Sequence, residues 1–131
     1  MSDLRTPLRR VRGLGSAKHG VTHFLHQRVT GAALVLLICW GFSQTPFLVG
    51  GGFDYAQGWL ANPLNAALAS LLLAVGLYHG KLGMQVVIED YIAKPGTRTA
   101  LLVLNTFVAF AFAAVGVVAL LKTAFSGGGA V

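Results

Sequence analysis

Residues 100–121 read ALLVLNTFVAFAFAAVGVVALL and contain no charged side chain. A run of this length can cross the hydrocarbon core of a bilayer as one helix, which takes about 20 apolar residues. The apolar residues follow one another without the alternation of a barrel strand, so a helix is predicted. The run closes on Ser126 and three glycines. We therefore predict a transmembrane helix over about 97–125 and a glycine-rich tail at 127–131.

An earlier apolar run covers about residues 24–47, with the core VTGAALVLLICWGF at 29–42. It meets Pro46, and proline disfavours helix at the residue before it. The segment 49–61 is rich in glycine and aromatic residues, and its one charge is Asp54. We therefore predict that the first transmembrane helix ends there and that a loop follows it.

The middle apolar run begins at Asn62 and Pro63, where asparagine is a good helix cap and proline suits the first helical turn. It continues to about Tyr91 and breaks before the next proline. This pattern predicts a transmembrane helix over about 63–91. The predicted fold class is all-α: a membrane protein with three transmembrane helices within residues 19–126.

The composition excludes a water-soluble enzyme. The chain is 55% hydrophobic and only 11% charged, with a mean hydropathy of +0.69, whereas about a quarter of the residues of a soluble domain are charged. Its 131 residues indicate one domain, and the single Cys39 cannot form an internal disulfide. The net charge of +6 arises mainly beside apolar runs, which is typical of a membrane protein's cytoplasmic side and argues against a nucleic-acid partner.

The distribution of basic residues predicts the orientation. The N-terminal arm, residues 1–18, contains Arg5, Arg9, Arg10, Arg12 and Lys18. The loop between the second and third predicted helices contains Lys94 and Arg98. The loop between the first and second has no basic residue, and the C-terminal end has only Lys122. Because basic segments tend to stay on the cytoplasmic side, we expect the N-terminus inside and the C-terminus outside.

His79 lies inside the second apolar run, about 16 Å from Asp90 along a helix. Because we expect Asp90 near the inner surface of the membrane, His79 would lie near the middle of the bilayer. An ionisable residue at that depth is a functional candidate. Gly76 and Gly83 share its helix face and would leave clearance for a flat macrocycle such as haem. Alternatively, Gly76 and Gly80 form a packing seam across which His79 makes a hydrogen bond.

Haem ligation by His79 would require a partner. A low-spin b-type haem takes two axial ligands, and the remaining histidines precede or begin the first apolar run: His19, His23 and His26. The second ligand would then come from another membrane subunit. These three histidines share a helix face and can also bind zinc, but we expect them at the inner interface, against partner proteins.

The inner end of the second run carries acidic residues and a phenol. Glu89 and Asp90 lie at the negative end of the helix dipole, and Asp90 is about 20° from His79 around the helix. One interpretation is that Asp90 and Tyr91 bind and protonate a carbonyl group. The other is that Tyr91 is an ordinary aromatic residue at the membrane interface. Arg28 enters the first run at the same membrane depth as Asp90 and Tyr91. Its guanidinium suits a haem propionate or a quinone oxygen. Alternatively, the side chain extends to the polar edge of the membrane.

Two blocks carry a family resemblance: HGKLGMQVVIEDYIAKP at 79–95 and GSAKHGVTHFLHQRVTG at 15–31. Together with the three apolar runs, they make the chain resemble the small hydrophobic membrane anchor subunit of succinate dehydrogenase (respiratory complex II), in its alphaproteobacterial form. The resemblance covers about residues 9–121, although the third run matches only in being apolar. The step from His79 to Tyr91 is the family's own.

The resemblance implies a role for each candidate residue. His79 corresponds to the axial ligand of the haem b iron, and the other ligand comes from the sister anchor subunit. Tyr91 corresponds to the tyrosine that hydrogen-bonds ubiquinone, and Asp90 is its acidic neighbour. Arg28 corresponds to an arginine near the haem propionates and the quinone pocket.

The resemblance also implies a four-subunit complex in the bacterial inner membrane. Electrons pass from succinate through a flavoprotein and an iron–sulfur subunit to ubiquinone on the inner side, and this chain has no succinate site. The family is often a trimer of such heterotetramers. Three other interpretations stay open: an anchor of a quinol–fumarate reductase, a b-type subunit of another quinone-linked dehydrogenase, or a small transporter or assembly factor that uses His79 and Lys81 as polar contacts or a proton relay.

Overall fold

The computed structural model describes residues 6–8 and 20–126 of the chain. The rest of the N-terminal arm, His19 and the glycine-rich tail lie outside the described residues. Three helices follow one another: α1 over Gly20–Ala61, α2 over Pro63–Tyr91 and α3 over Pro95–Ser126.

All three helices are long and apolar enough to cross a membrane. Their most apolar windows have mean hydropathies of 1.8, 1.5 and 2.4 in chain order, and no strand occurs in the part of the chain that the structure describes. The predicted fold class, an all-α membrane protein with three transmembrane helices, is confirmed. The orientation of its termini stays a prediction.

The prediction that α1 ends near Phe47 and gives way to a loop is wrong. The helix continues past Pro46, kinks at Gly52 and then resumes as far as Ala61. Gly52 has φ 69° and ψ −166°, a conformation that glycine adopts at little cost because it lacks a Cβ. The turn in the chain is therefore made by this glycine and not by the proline.

The hydroxyl of Thr45 explains why the helix survives Pro46. Proline has no N–H to donate to the carbonyl one turn earlier, which here belongs to Phe42. Thr45 Oγ1 donates to that carbonyl at 2.6 Å. A side-chain hydrogen bond thus replaces the backbone bond that proline removes.

The helical stretch after Gly52 folds back against the body of α1. The rings of Trp40 and Trp59 stack with their centroids 5.6 Å apart. The indole N–H of Trp59 donates to the side-chain oxygen of Gln44 at 3.1 Å. These contacts hold the end of α1 against the body of the same helix.

The start of α2 agrees with the predicted cap. The side-chain oxygen of Asn62 accepts from the backbone N–H of Leu64 at 2.9 Å, and Pro63 occupies the first turn. The side-chain amide of Asn65 donates to the carbonyl of Trp59 at 3.1 Å. These bonds satisfy backbone groups that the helix ends leave unpaired at this junction.

The helices form a bundle in which each one packs against the other two. Its interior is small, and the buried residues among those described are Leu37, Ala66, Leu82 and Ile88. Between α2 and α3, a Cβ added to Gly116 would overlap the side chain of Leu73. The amide of Asn105 donates to the backbone carbonyl of Lys81 at 3.0 Å. Close approach at small residues and interhelical hydrogen bonds are the usual means of holding membrane helices together.

The outside of the bundle is apolar. No residue of α3 is buried, and the side chains of Phe107, Phe110 and Phe112 are 72%, 61% and 64% exposed. A surface of this kind is stable only against lipid or another apolar protein surface. The bundle is therefore that of a multi-pass membrane protein.

We expect Thr45→Val to destabilise the assembled protein. The carbonyl of Phe42 loses the donor that replaces the missing proline N–H, and a hydrogen bond within a membrane protein is worth about 1 kcal/mol. The measurement is the thermal unfolding midpoint in detergent. Thr123→Val is the matched control. The Thr123 hydroxyl donates to the carbonyl of Ala119 at 3.0 Å, but this carbonyl also accepts from the helix backbone. It therefore keeps a partner when the hydroxyl is removed.

A second substitution tests the cause. Pro46→Ala restores a backbone N–H opposite the carbonyl of Phe42, so Thr45→Val should cost little in that background. Equal losses with and without Pro46 would contradict the explanation.

Candidate functional site

His79 lies where α2 contacts the first turns of α1, and both nitrogens of its half-buried ring have polar neighbours. Nδ1 is 2.9 Å from Thr30 Oγ1. Nε2 is 3.4 Å from the side-chain nitrogen of Gln27, which is long for a hydrogen bond. Gly31 lies beside the ring, since a Cβ there would be 3.4 Å from His79 Cε1. Gln27, Thr30 and Gly31 of α1 together form the His79 pocket.

The Thr30 hydroxyl contacts both the His79 ring and the backbone of α1. Thr30 Oγ1 donates to the backbone carbonyl of His26 at 2.7 Å, since a carbonyl can only accept. His79 Nδ1 lies 2.9 Å from the same oxygen. Thr30 therefore joins the ring of α2 to the backbone of α1.

The two glycines expected to clear space for a macrocycle face α1. A Cβ on Gly76 would lie 3.9 Å from Leu34 Cδ2, and one on Gly83 would lie 3.8 Å from the side-chain nitrogen of Gln27. A Cβ at either position would make only an ordinary van der Waals contact with α1, so the packing of these two helices does not require glycine there. Gly80, in contrast, has open space where a Cβ would be. A role of Gly76 and Gly83 toward haem stays a prediction.

Two polar atoms on the same stretch of α1 are buried without a hydrogen-bond partner among the described residues. They are the side-chain oxygen of Gln27 and the Nε2 atom of His23. Buried polar groups in proteins are nearly always paired, and an exception calls for a missing partner. The side chain of Gln27, next to His79 Nε2, is thus incompletely bonded within the part of the chain that the structure describes.

One of the N-terminal histidines, His26, lies closer to His79 than we expected from the sequence. His26 Nδ1 is 2.9 Å from the hydroxyl of Tyr78, the residue just before His79. The reason is the register of α1 against α2, which sets the first turns of α1 beside the middle of α2. No group of three or more metal-binding side chains occurs within residues 6–8 and 20–126. His19, the third histidine of the possible zinc site, lies outside them, so the structure does not test that site.

The remaining candidate residues are exposed. Tyr91, the last residue of α2, is 82% exposed. Asp90 is exposed too, and neither side chain bonds to another described residue. The guanidinium of Arg28 lies 5.0 Å from the ring centroid of Phe24, a favourable cation–π distance. Within this chain the structure does not bring Arg28, Asp90 or Tyr91 into contact with His79.

Lys81, which has a role only in the transporter or assembly-factor interpretation of the sequence, begins a row of hydrogen bonds along α2. Its ammonium group donates to the side-chain oxygen of Gln85 at 3.3 Å. The amide of Gln85 donates to a carboxylate oxygen of Glu89 at 2.8 Å. The row connects a cation inside the apolar run with an anion at the end of the helix, so the two opposite charges are joined through Gln85.

Sequence reasoning missed Gln27 and Thr30 as parts of the site. Both belong to the block GSAKHGVTHFLHQRVTG that carries the family resemblance. Their spacing of three places them on one helix face, which is the available signal. Nothing in the sequence alone indicates that this face meets His79.

Comparison with known proteins gives a consistent result. A family model described as Succinate dehydrogenase/Fumarate reductase transmembrane subunit matches residues 2–118. Curated relatives named Succinate dehydrogenase hydrophobic membrane anchor subunit are similar to this chain over most of their length. The relative from Rickettsia bellii is 40% identical over 103 residues, covering 77% of this chain and 81% of its own. The relative from Rickettsia conorii is 35% identical over 103 residues, covering 78% and 82%.

A third relative, from Paracoccus denitrificans, is 28% identical over 117 residues, covering 89% of this chain and 90% of its own. No solved structure matches the chain. The resemblance to the alphaproteobacterial anchor subunit, inferred from the two blocks, is confirmed. The chain belongs to the succinate dehydrogenase/fumarate reductase transmembrane subunit family, as a multi-pass hydrophobic membrane anchor.

Proposed function

We propose that this chain is the anchor subunit of a bacterial succinate dehydrogenase, that it shares a b-type haem with a second anchor subunit, and that it contributes to the site of ubiquinone reduction. Its family and its three apolar helices support the anchor role. The anchor would hold the iron–sulfur and flavoprotein subunits, which deliver electrons from succinate, at the inner face of the cytoplasmic membrane.

The observation that carries the haem proposal is the position of His79, a half-buried histidine in the interior of an apolar membrane helix. Histidine nitrogen is a common axial ligand of haem iron. The contact of His79 Nε2 with Gln27 is long at 3.4 Å and therefore weak. The side-chain oxygen of Gln27 has no hydrogen-bond partner among the described residues, so the bonding beside His79 is incomplete. A haem bound here would supply one-electron transfer.

The packing of α1 on α2 limits where such a haem would fit. Gly31 is close to the His79 ring, and both ring nitrogens face side chains of α1, so no macrocycle fits between these two helices as they pack here. Haem ligation by His79 would therefore require α1 and α2 to pack differently in the assembled complex, where a second anchor subunit would supply the other ligand.

The end of α2 supports the quinone proposal. The phenol of Tyr91 is exposed and unbonded within the described chain, so it is available to donate a hydrogen bond to a quinone carbonyl. Such a bond strengthens as negative charge develops on the oxygen during reduction. Asp90 beside it can pass protons as a general acid. With the N-terminus inside, as the basic residues favour, both groups would lie at the inner surface.

The direction of the reaction follows the named relatives. The family description includes both succinate dehydrogenase and fumarate reductase subunits. The curated relatives from Rickettsia and Paracoccus are named for succinate dehydrogenase. Succinate oxidation is therefore the function proposed, with fumarate reduction as the alternative within the same family.

We expect His79→Ala to remove most of the haem b from the assembled complex, because the iron loses its ligand from this chain. The measurement is a reduced-minus-oxidised absorbance spectrum of membranes, normalised to the flavin content of the complex. His26→Ala is the control: it removes a histidine bonded to the neighbouring Tyr78 and should leave the haem in place. Undiminished haem in His79→Ala would show that another residue is the ligand.

We expect Tyr91→Phe to slow ubiquinone reduction about 10-fold or more, because a hydrogen bond to a developing charge contributes about 1.5–3 kcal/mol. Succinate oxidation by an artificial dye should stay at the wild-type rate, since electrons reach the dye without the quinone site. Tyr55→Phe, at a tyrosine that is 45% exposed on the far part of α1, is the control. Loss of both activities together would assign Tyr91 to assembly instead.

A further inference from the structure

We infer that Lys81 and Gln85 are positioning residues for Tyr91: through Glu89 they keep the last turn of α2 helical, and this turn holds the phenol at a fixed depth and direction. The inference rests on the role proposed for Tyr91 in quinone reduction. It adds to that site two residues that lie one and a half turns or more away from the phenol, inside the apolar run.

The last turn of α2 has little support of its own. Glu89 and Asp90 lie at the negative end of the helix dipole, where acids are unfavourable, and the last turn contains no basic residue to offset them. The chain leaves the helix at Ile92 with φ −102° and ψ 99°, so the left-handed residue that caps many helices is missing here. The side chain of Tyr91 is 82% exposed, and packing supports this turn mainly through Ile88, which is 7% exposed.

The row of hydrogen bonds along α2 supplies the missing cation. Residues four apart lie on one face of a helix, which places Lys81, Gln85 and Glu89 in line. The ammonium group donates to Gln85 at 3.3 Å, and Gln85 donates to the carboxylate of Glu89 at 2.8 Å. Lys81 and Gln85 are half-buried, and such bonds are stronger where the dielectric constant is low. The carboxylate at the unfavourable end is thereby tied to a positive charge two turns earlier.

The deep end of the row is attached to α3. The side-chain amide of Asn105 donates to the backbone carbonyl of Lys81 at 3.0 Å, which holds that turn of α2 on its neighbour. Gln85 borders the groove between α2 and α3, beside Leu102. The support therefore passes from α3 through the side chains of α2 to the exposed carboxylate of Glu89.

Loss of the row should loosen the turn that carries Tyr91. Two side-chain pairs of this spacing change the ratio of helical to frayed turn by about 2- to 5-fold. If the quinone binds only when the turn is helical, its apparent affinity falls with that population, whereas the chemistry of the bound state is unchanged. Gln85→Leu removes both bonds, so it should raise the KM for ubiquinone by up to this factor and leave kcat at the wild-type value.

The test uses the assembled complex and two measurements. Amide hydrogen exchange of residues 88–92 reports the opening of the last turn, and ubiquinone kinetics give KM and kcat separately. The variants are Gln85→Leu, Lys81→Met, which removes the cation alone, and Lys81→Arg, which keeps a cationic donor. Gln57→Leu is the matched control, because it makes the same change on the fold-back part of α1.

We expect exchange of the last turn to be about 2- to 5-fold faster in Gln85→Leu and faster also in Lys81→Met, with a raised KM in both. Lys81→Arg and Gln57→Leu should match the wild type, and dye-linked succinate oxidation, which reports assembly, should be unchanged in all four. If Gln85→Leu does not assemble, Lys81→Met decides the question.

Two results would overturn the inference, and they are distinguishable. Wild-type exchange and KM in Gln85→Leu, while Tyr91→Phe slows quinone reduction, would overturn the positioning role alone. Unchanged quinone reduction in Tyr91→Phe would overturn the role proposed for Tyr91 and the positioning role with it.

Discussion

A backbone inside a bilayer has no water to bond, so every N–H and C=O group of the spanning chain needs a partner within the protein. Continuous helices meet this requirement almost everywhere in α1, α2 and α3. Where the backbone itself fails, side chains take over: the Thr45 hydroxyl bonds the carbonyl that Pro46 leaves free, and Asn62 bonds an N–H at the start of α2. Several of the few polar side chains in this chain therefore make hydrogen bonds to backbone groups that would otherwise be unpaired.

The same requirement applies to His79 and Lys81, the ionisable side chains inside the apolar run of α2, and both occur in hydrogen-bonded rows. His79 is joined to the backbone of α1 through Thr30, and Lys81 is joined to Glu89 through Gln85. The bonding of this chain is nevertheless incomplete, since buried polar atoms beside His79 lack partners among the described residues and the outer surface is apolar. Both features are typical of one subunit of a larger membrane assembly.

Local rules explain which structural predictions succeeded. The three apolar runs and the cap at Asn62 depend on residues near each other in the chain, and the structure has these features where they were predicted. The end of α1 was wrong because the rule for proline considers only the backbone, whereas a neighbouring hydroxyl repairs the helix at Pro46. The fold-back after Gly52 likewise depends on the contact of Trp59 with Trp40 and Gln44, which no local pattern indicates.

The sequence by itself determined the class of the protein, its three membrane-spanning helices, its family and the choice of His79 as the central residue, because hydropathy, caps and motifs are read along the chain. Only the tertiary structure decided which groups surround His79. Thr30, Gln27 and Gly31 reach it through the register of α1 against α2. The hydrogen-bond partners of the His79 ring follow from this register, because residues 49 and more positions apart meet only when the helices pack.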